Sequence, residues 1–432
     1  MIKYFGTDGI RGRAHEFLTP ELAKKVGLGL SLLACKEVIV GQDTRASGAV
    51  LAAAITEGAL EAGIDVYCAG VVTTPMLSHL SKRKQTFGVM ISGSHNPYHD
   101  NGIKVFNCGR KLSQDEENIL EFFLNGKASL KPMSRGRAMA LEDGFQIYKE
   151  LFEDLSVDTD LKIGLDFANG AACDVGKKIF AHLGWNFHSV GDEPDGKNIN
   201  AGCGSTHPEN IAGFVRENAF DLGFTFDGDA DRVLAVDGGG EIYNGDHLIY
   251  VFARHMLEEG SLNGRGVVLT RMSNLGLFKA LKEQGIAVET TDVGDKYVFE
   301  ALEKTGYVLG GEASGHIINL NLLDTGDGLL NAAYLVKILT AKNISLAEAT
   351  KELKMYPEIS FNLRDVSKEV LKIPEVKAEI KNMQENLGAN GKIVVRPSGT
   401  EPVIRISVSA ECGEEAEAYL ERIVELLKGW GR

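Results

Sequence analysis

Three aspartates stand at alternate positions in the segment FTFDGDADRVLAVD, where glycine and alanine separate Asp227, Asp229 and Asp231. Carboxylates this close repel one another strongly unless a cation lies among them. Oxygen ligands suit Mg²⁺, which takes few protein carboxylates and leaves positions for phosphate oxygens. A calcium EF-hand loop is excluded, because Arg232 and Gly238 stand where that loop requires glycine and glutamate. A solvated acidic turn is the alternative to a magnesium site.

A serine and a histidine follow an apolar run in the segment ISGSHNPYHDNGIKVF. Ser94 and His95 are expected beyond the carboxyl end of a buried strand, where open α/β sheets place their ligands. Lys104 follows in the same segment and could return to this site as a base. An ordinary surface turn is the alternative, since Ser, His, Asn, Pro and Gly are frequent turn residues.

A third polar loop lies in GYVLGGEASGHIINL, where Glu312, Ser314 and His316 alternate among glycines. Short side chains with donors and acceptors suit sugar hydroxyls, and His316 could also assist proton transfer. A histidine standing by itself is more often structural, which is the alternative for His316.

The segment VVRPSGTEPVIRIS concentrates groups that bind oxyanions: Arg396, Ser398, Gly399, Thr400 and Arg405. Glycine lets backbone N–H groups converge, and the arginine fork matches the geometry of phosphate oxygens. The segment is not a P-loop, because it lacks the GxxxxGK[ST] pattern and no helix follows it directly. It predicts a phosphate-binding nest, with a hairpin carrying surface arginines as the alternative.

Apolar runs and helical stretches alternate along the chain and must position these loops. Runs without polar alternation suit strands buried on both faces, and they occur at 36–41, 87–92, 161–167, 222–226 and 266–270. Helices are predicted at 19–33, with Thr19 as N-cap and Pro20 at the first helical position, and at 46–63. The stretch 126–143 is polar and aperiodic, which predicts a linker. The tail predicts strand, turn and strand over 392–411, then a helix at 413–428.

The chain has 432 residues and a formal net charge of −14. Single cores stop growing at about 250–300 residues, so several domains are expected. General nucleic-acid and anionic-membrane binders need a basic surface, which the acidic balance argues against. Six widely spaced cysteines, a start unlike a targeting peptide and no long apolar run together predict a cytoplasmic protein.

The order of the motifs S-H-N-P, D-G-D-x-D-R, G-E-x-S-G-H and R-x-S-G-T-E-P resembles the α-D-phosphohexomutase superfamily. Within it, the chain is similar to the phosphoglucosamine mutase family along nearly its whole length. Matching stretches are YFGTDGIRG (4–12), CGSTHPE (203–209), DVGDKYVFE (292–300), TGDG (325–328) and RPSGTEP (396–402). The resemblance implies an α/β fold: three α/β domains of similar build plus a smaller C-terminal α+β domain around a central cleft. Their expected bounds are 1–143, 144–243, 244–358 and 359–432.

The resemblance also implies a role for each loop residue. Ser94 would be the phosphorylated serine and Lys104 the general base. The catalytic groups would be Ser94, His95, Lys104 and Arg11. The ligands of one Mg²⁺ would be Ser94, Asp227, Asp229 and Asp231. The substrate contacts would be Arg232, Glu312, Ser314, His316, Arg396, Ser398, Gly399, Thr400 and Arg405.

The implied activity is an isomerase that interconverts glucosamine 6-phosphate and glucosamine 1-phosphate through glucosamine 1,6-bisphosphate. Such an enzyme would feed the synthesis of amino-sugar nucleotides and cell-wall precursors. Its partner would be a phosphorylated amino sugar, with neither nucleic acid nor membrane, and a homodimer is one option for its assembly.

Three positions depart from the usual pattern of the phosphoglucosamine mutase family: Gly93, Ala230 and Ala313. Ala230 is also found in the phosphomannomutase/phosphoglucomutase branch, which is the nearest alternative. A metal-dependent phosphatase with a serine nucleophile is a second alternative, against which the predicted C-terminal phosphate site counts. An inactive sugar-phosphate-binding protein is a third, against which the intact Ser94 and Lys104 count.

Overall fold

Four β-sheets follow one another along the chain, and the apolar runs of the sequence supply their central strands. The computed structural model describes residues 3–6, 8–128, 134–398 and 403–431, which form sheets of eight, five, four and three strands. Helices pack against these sheets, as the predicted α/β fold class requires. Within the described ranges, no helix combines the length and the apolar character needed to cross a membrane.

The first sheet is built around the buried runs predicted as strands at 36–41 and 87–92. Its strand order is β1-β2-β6-β5-β3-β4-β8, with β7 paired to β6. The strands are β1 (Phe5–Gly6), β2 (Gly9–Arg13), β3 (Glu37–Gln42), β4 (Asp65–Val71), β5 (Phe87–Ile91), β6 (Asp100–Asn107), β7 (Arg110–Lys111) and β8 (Ala138–Ala140). Its helices are α1 (Pro20–Gly29), α2 (Gly48–Glu61), α3 (Thr74–Arg83) and α4 (Gln114–Leu124).

Local chemistry sets the start of α1 as predicted. The Thr19 side chain accepts a hydrogen bond from the Leu22 N–H, and Pro20 occupies the first helical position. The linker prediction for 126–143 is wrong in part, because Ala138–Ala140 forms β8 and pairs in parallel with β4. The strand consists of three apolar residues within a largely polar stretch, too short a run to predict a strand without the neighbouring edge of β4. Residues 129–133 of the same stretch lie outside the described residues.

The second and third sheets repeat one plan. The second has the order β10-β9-β11-β12-β13, from β9 (Lys162–Asp166), β10 (Asn186–Val190), β11 (Leu222–Phe226), β12 (Val233–Asp237) and β13 (Ile242–Tyr243). The third has the order β15-β14-β16-β17, from β14 (Gly266–Thr270), β15 (Ala287–Thr291), β16 (Leu309–Gly311) and β17 (Ile317–Asn319). Each has a parallel centre and an antiparallel strand beside it.

Along the chain, helices precede, separate and follow the strands of these two sheets. They are α5 (Gly144–Lys149), α6 (Ala172–His182), α7 (Pro208–Glu217), α8 (Gly245–Glu258), α9 (Leu275–Glu283), α10 (Asp295–Thr305), α11 (Gly328–Lys342) and α12 (Leu346–Thr350). The longest of them, helix α11, is buried over most of its length.

The fourth sheet is antiparallel, in the order β18-β20-β19. Its strands are β18 (Glu358–Leu363), β19 (Gly391–Pro397) and β20 (Ile404–Ala410), and its helices are α13 (Pro374–Leu387) and α14 (Gly413–Trp430). The two strands and the last helix match the prediction for the tail. Strand β18 completes the sheet from a segment that sequence analysis does not select, although its polar and apolar residues alternate as in a half-buried strand. This α+β part has its own core, which includes Ile404, Ile406 and Val408.

Two compact units divide the chain. One contains residues 1–272 and 286–350, and the other contains residues 273–285 and 351–432. The first three sheets lie in the first unit. The second unit contains the fourth sheet and α9.

Candidate active site

The predicted loops occupy the same topological position in each sheet. The serine loop joins β5 to β6, the acidic loop joins β11 to β12, and the loop of Glu312 joins β16 to β17; each of these strand pairs is antiparallel. Each loop contains a residue with positive φ: Ser94 at 50°, Ala230 at 57° and Gly315 at 91°. Tight reversals at the ends of buried strands therefore present all three sets of polar side chains.

Buried polar groups hold the serine loop. The φ of Ser94 is left-handed, which is uncommon for a residue with a Cβ. Its carbonyl oxygen accepts hydrogen bonds from Arg45 Nη2 and Asn200 Nδ2, each at 2.8 Å. Arg45 is held in turn by the Asp43 carboxylate at 2.9 Å, and both of these side chains are fully buried. The surrounding structure thus sustains the strained backbone at Ser94.

The Ser94 hydroxyl faces the acidic loop. It donates a hydrogen bond of 2.6 Å to Asp227 Oδ2, while His95 Nδ1 lies 3.3 Å from the hydroxyl oxygen. Burial, together with the charges of Arg232 and Arg11, lowers the pKa of His95 to about 4. A neutral imidazole can hydrogen-bond beside the serine without adding a charge.

The three aspartates of the acidic loop form one buried cluster. An oxygen from each of Asp227, Asp229 and Asp231 lies within 4.8 Å of the others. Among the described residues, Asp229 Oδ1 and Asp231 Oδ1 have no hydrogen-bond partner. Burial and the charges of Asp231 and Asp229 raise the pKa of Asp227 well above its ordinary value. Unpartnered, buried carboxylate oxygens at this spacing fit a bound divalent cation.

Close approach to the serine loop explains the small residue between the first two aspartates. A Cβ added at Gly228 would lie 2.6 Å from the Ser94 carbonyl oxygen and 2.8 Å from Ile199 Cδ1. No larger residue fits there without a shift of the backbone. Gly228 is therefore needed for the serine loop and the acidic loop to pack against each other.

Lys104 on β6 is surrounded by carboxylates. Its Nζ lies 2.8 Å from Asp229 Oδ2, 3.1 Å from Asp8 Oδ2 and 3.3 Å from Asp231 Oδ2. Burial acts to lower the pKa of Lys104, but the three carboxylates outweigh it and hold the pKa well above its ordinary value. In this arrangement Lys104 is a buried ammonium that offsets the charge of the acidic loop.

Sequence analysis assigns no role to Asp8, which the structure places inside the site. Its carboxylate contacts Arg11, Lys104 and Lys111. Burial acts to raise the pKa of Asp8, yet the three cations hold it well below its ordinary value. Arg11 also donates a hydrogen bond of 3.4 Å to the Gly93 carbonyl. Asp8 could have been selected from the sequence, because it lies inside the family-matching stretch YFGTDGIRG.

A cavity of about 550 Å³ brings predicted residues of three sheets together. Those that line it are Arg11, His95, Asp231, Arg232, Glu312 and His316. Its wall therefore offers cations, carboxylates and imidazoles from separate parts of the chain. Such a mixture suits a ligand that carries both phosphate and hydroxyl groups.

The loop of Glu312 is positioned by backbone and ionic contacts. Glu312 Oε1 accepts a hydrogen bond of 3.0 Å from the Gly294 N–H. His316 Nδ1 lies 3.6 Å from Asp231 Oδ1; burial acts to lower the pKa of His316, but Asp231 outweighs it and raises the pKa. Within the described part of the chain, the buried Ser314 Oγ has no hydrogen-bond partner. Unlike Glu312 and His316, Ser314 is not among the residues that line the cavity.

The predicted phosphate-binding residues lie in the second unit. Arg396 on β19 and Arg405 on β20 are direct cross-strand partners. Like charges opposite one another in a sheet are destabilising, which an anion beside them would relieve. The Ser398 carbonyl accepts a hydrogen bond from Lys368 Nζ, a cation that sequence analysis did not select. Gly399 and Thr400 lie outside the described residues.

Family models described as phosphoglucomutase/phosphomannomutase match four consecutive parts of this chain. The models of alpha/beta/alpha domains I, II and III match residues 2–129, 146–240 and 244–356. The model of the C-terminal domain matches residues 358–426. Together they cover most of the sequence, including all four predicted loops.

Curated relatives match over nearly the entire chain. The phosphoglucosamine mutase of Streptococcus agalactiae is 42% identical over 444 residues, and that of Bacillus subtilis is 43% identical over 442 residues. Each comparison covers 99% of this chain and 99% of the relative. Identity at this level and coverage is far above what a shared fold alone requires.

Solved structures share the fold. A phosphoglucomutase/phosphomannomutase family protein from Burkholderia thailandensis gives a TM-score of 0.83 at 24% identity, covering 98% of this chain and 97% of that one. N-acetylphosphoglucosamine mutase from Aspergillus fumigatus, in complex with GlcNAc-6P and magnesium, gives 0.69 at 17% identity, covering 100% of this chain and 96% of that one.

Proposed function

This chain belongs to the α-D-phosphohexomutase superfamily and, within it, to the phosphoglucosamine mutase family, and from that premise we propose that it interconverts glucosamine 6-phosphate and glucosamine 1-phosphate. The observation that carries the proposal is the contact of Ser94 with the acidic loop. The buried hydroxyl of Ser94, whose backbone is strained, lies 2.6 Å from Asp227 Oδ2. Asp227 belongs to the cluster of three aspartates that fits a divalent cation. The family relatives named phosphoglucosamine mutase supply the substrate class.

The reaction proceeds in two phosphoryl transfers. Phosphorylated Ser94 gives its phosphoryl group to the O1 hydroxyl of glucosamine 6-phosphate: the Oγ–P bond breaks, an O1–P bond forms, and the hydroxyl proton ends on Ser94 Oγ. Glucosamine 1,6-bisphosphate then turns over in the cavity. Its O6 phosphoryl group returns to Ser94, and a proton passes back to O6. The bisphosphate is the intermediate, and the phosphoserine is regenerated.

Magnesium is the cation we propose for the acidic loop. Asp227, Asp229 and Asp231 would hold it together with an oxygen of phosphorylated Ser94, because hard oxygen ligands and open positions suit this ion. When bound, it would stabilise negative charge on the phosphoryl oxygens during transfer. The Aspergillus fumigatus structure, which contains magnesium, supports the choice of ion.

Lys104 is proposed as the group that moves the proton, with Arg11 and His95 beside the phosphoryl group. Lys104 Nζ lies within 3.3 Å of three carboxylates, which keep it charged, and the negative charge of a phosphoryl group would favour the same form. As an ammonium it neutralises the reacting phosphoryl group, and as the general base it would accept the proton of the attacking hydroxyl after passing one of its own protons to a neighbouring carboxylate. Its position on β6 supports both roles.

Sugar recognition and phosphate recognition are proposed for separate loops. Glu312, Ser314 and His316 would contact the sugar; Glu312 and His316 line the cavity together with Arg232. The phosphate that does not react would be held by Arg396, Ser398, Gly399, Thr400 and Arg405. A separate clamp for the second phosphate allows the bisphosphate to be bound in both orientations. It also distinguishes a mutase from a phosphatase, which has no use for a second phosphate site.

The cytoplasm is the proposed location, because all six cysteines are unpaired thiols. A homodimer stays an expectation.

The test combines mass spectrometry with a substrate panel. Intact-mass and peptide analysis should find about one phosphate per chain on the peptide of Ser94, and Ser94→Ala should abolish turnover. The wild type should convert glucosamine 6-phosphate with a higher kcat/KM than glucose or mannose 6-phosphate. A preference for mannose or glucose would assign the protein to the phosphomannomutase/phosphoglucomutase reaction instead. Full activity of Ser94→Ala would overturn the phosphoserine mechanism.

A further inference from the structure

Lys111 lies between two carboxylates that belong to different sheets. On β7, its Nζ contacts the Asp8 carboxylate at 2.5 Å and also pairs with the carboxylate of Asp295, the first residue of α10. The side chains are mostly buried, with exposed fractions of 22% for Lys111 and 16% for Asp295. A charge pair this poorly solvated is costly to leave incomplete.

One end of this pair leads to the groups around the reacting serine. Asp8 also contacts Lys104 at 3.1 Å and pairs with Arg11. Lys104 in turn contacts Asp229 at 2.8 Å in the acidic loop. The charge of Lys111 therefore determines how strongly Asp8 holds Lys104.

The other end leads to the loop that faces the sugar. Asp295 Oδ2 lies 3.8 Å from His316 Nε2. The preceding Gly294 donates its N–H to Glu312 Oε1 at 3.0 Å. The turn at Gly294 and Asp295 thus fixes two side chains of the Glu312 loop while it pairs with Lys111.

We propose that Lys111 and Asp295 are a positioning pair for the phosphoryl-transfer reaction. Lys111 neutralises Asp8, so that Lys104 stays directed at the acidic loop and the reacting phosphoryl group. Asp295 holds Lys111 and, through the same turn, sets Glu312 and His316 at a fixed distance from the serine loop. The pair thus fixes the distance between the residues that contact the sugar and those that contact the reacting phosphoryl group. This inference rests on the proposed mutase function and gives a role to two residues that had none, although Asp295 lies inside the matching stretch DVGDKYVFE.

The electrostatic argument gives the direction of each change. Without the Lys111 charge, Asp8 keeps only Arg11 and Lys104, and it draws Lys104 away from Asp229 and the phosphoryl group. Phosphoryl transfer slows while the sugar contacts stay intact. Without the Asp295 charge, Lys111 loses one partner and the turn that carries Gly294 loses its anchor, so the sugar contacts loosen as well.

The experiment compares four variants in steady-state assays of glucosamine 1-phosphate formation. Lys111→Met should lower kcat about 10- to 100-fold, less than the loss of a fully buried charge pair would cause, because both side chains are partly exposed. Its KM should stay within about twofold of the wild type. Asp295→Asn should lower kcat similarly and also raise KM. The kcat of the double variant should stay within about twofold of that of the poorer single variant, because both substitutions remove the same Lys111–Asp295 interaction.

A neighbouring ion pair supplies the matched control. Lys82 on α3 contacts Asp324 at 2.6 Å and also joins the first and third sheets, but it touches none of the groups around Ser94. Lys82→Met should leave kcat and KM within about twofold of the wild type. Lys111→Arg, which keeps the charge, should recover most of the activity that Lys111→Met loses.

Each outcome decides the matter. Single variants with wild-type kcat, an additive double variant, or an equal loss in Lys82→Met would overturn the positioning role. If Lys111→Met fails to fold, the Lys111→Arg and Asp295→Asn variants carry the same test. If the wild type converts only another hexose phosphate, the proposed substrate is wrong, and the same comparison on that sugar still tests the pair.

Discussion

Gly228→Ala changes only one methyl group, yet we expect it to disable the site. The added Cβ would lie 2.6 Å from the Ser94 carbonyl oxygen, whereas ordinary contacts begin at 3.4 Å. Ser94 or the acidic loop must therefore move by the difference, about 0.8 Å, to relieve the overlap. The φ of Gly228 is not left-handed, so the substitution acts through this contact and not through backbone preference.

The Ser94 carbonyl cannot move alone. It accepts hydrogen bonds from Arg45 and Asn200, both at 2.8 Å, and the Arg45 side chain is fully buried. A shift of the carbonyl breaks these bonds or carries the Ser94 hydroxyl with it, away from Asp227. Misplacing a reacting group by about 1 Å costs roughly 100-fold in rate, so kcat should fall by about two orders of magnitude.

The assay measures kcat for glucosamine 1-phosphate formation, with the circular dichroism spectrum as a check on folding. Gly213→Ala is the control, because a Cβ at this position of α7 meets no atom within 4 Å. That control should keep full activity and gain up to about 1 kcal/mol of helix stability. A folded Gly228→Ala protein with wild-type kcat would refute the argument that contact between the two loops sets the rate.

Three further predictions concern metal, substrate and pH. Asp229→Asn should weaken Mg²⁺ binding in calorimetry at least about tenfold, and EDTA should abolish the activity of the wild type; equal affinity, or activity indifferent to EDTA, would contradict the metal site. Glu312→Gln should change the ratio of kcat/KM between glucosamine and glucose 6-phosphates, whereas Arg405→Ala should weaken both alike by about 2–5 kcal/mol, and the reverse pattern would contradict the division of roles. Burial raises the pKa of Asp327 from 3.8 to about 6, so this carboxyl binds a proton more tightly in the folded state. The tighter binding of this proton adds about 3 kcal/mol to the free energy of unfolding below pH 4, and this stabilisation is lost as pH rises through 6. Asp327→Asn should remove that dependence, and the melting temperature of the variant relative to the wild type should rise between pH 4 and 7; a flat difference would show that Asp327 does not titrate this way.

Much of the local structure could be predicted from sequence because its signals are local. The apolar runs at 222–226 and 266–270 coincide with β11 and β14, and the Thr19 cap with Pro20 fixes the start of α1. The exceptions have only weak local signals. Strand β8 contains just three apolar residues within a largely polar stretch, and it pairs with the available edge of β4.

The contacts that hold the candidate site could not be predicted in the same way. Arg45 and Asn200 both bind the Ser94 carbonyl, although one precedes it by 49 residues and the other follows it by 106. Nothing in the spacing of a single chain indicates that these three residues meet. Family resemblance identified the loops as a set, while the residues that support them follow only from the packing of the sheets.

Charge balance explains why the site needs the first and second sheets together. The second sheet supplies Asp227, Asp229 and Asp231, which repel one another when buried without cations. The first sheet supplies Lys104, whose burial without carboxylates would be equally costly. Neither part can bury its own charges, and each satisfies the other at 2.8 Å between Lys104 and Asp229. Docking of the sheets is therefore coupled to assembly of the site, and a variant that removes one of these charges should lose both activity and the stability of this contact. Asp229→Asn offers the direct case, because it keeps the shape of the side chain while leaving Lys104 short of one carboxylate.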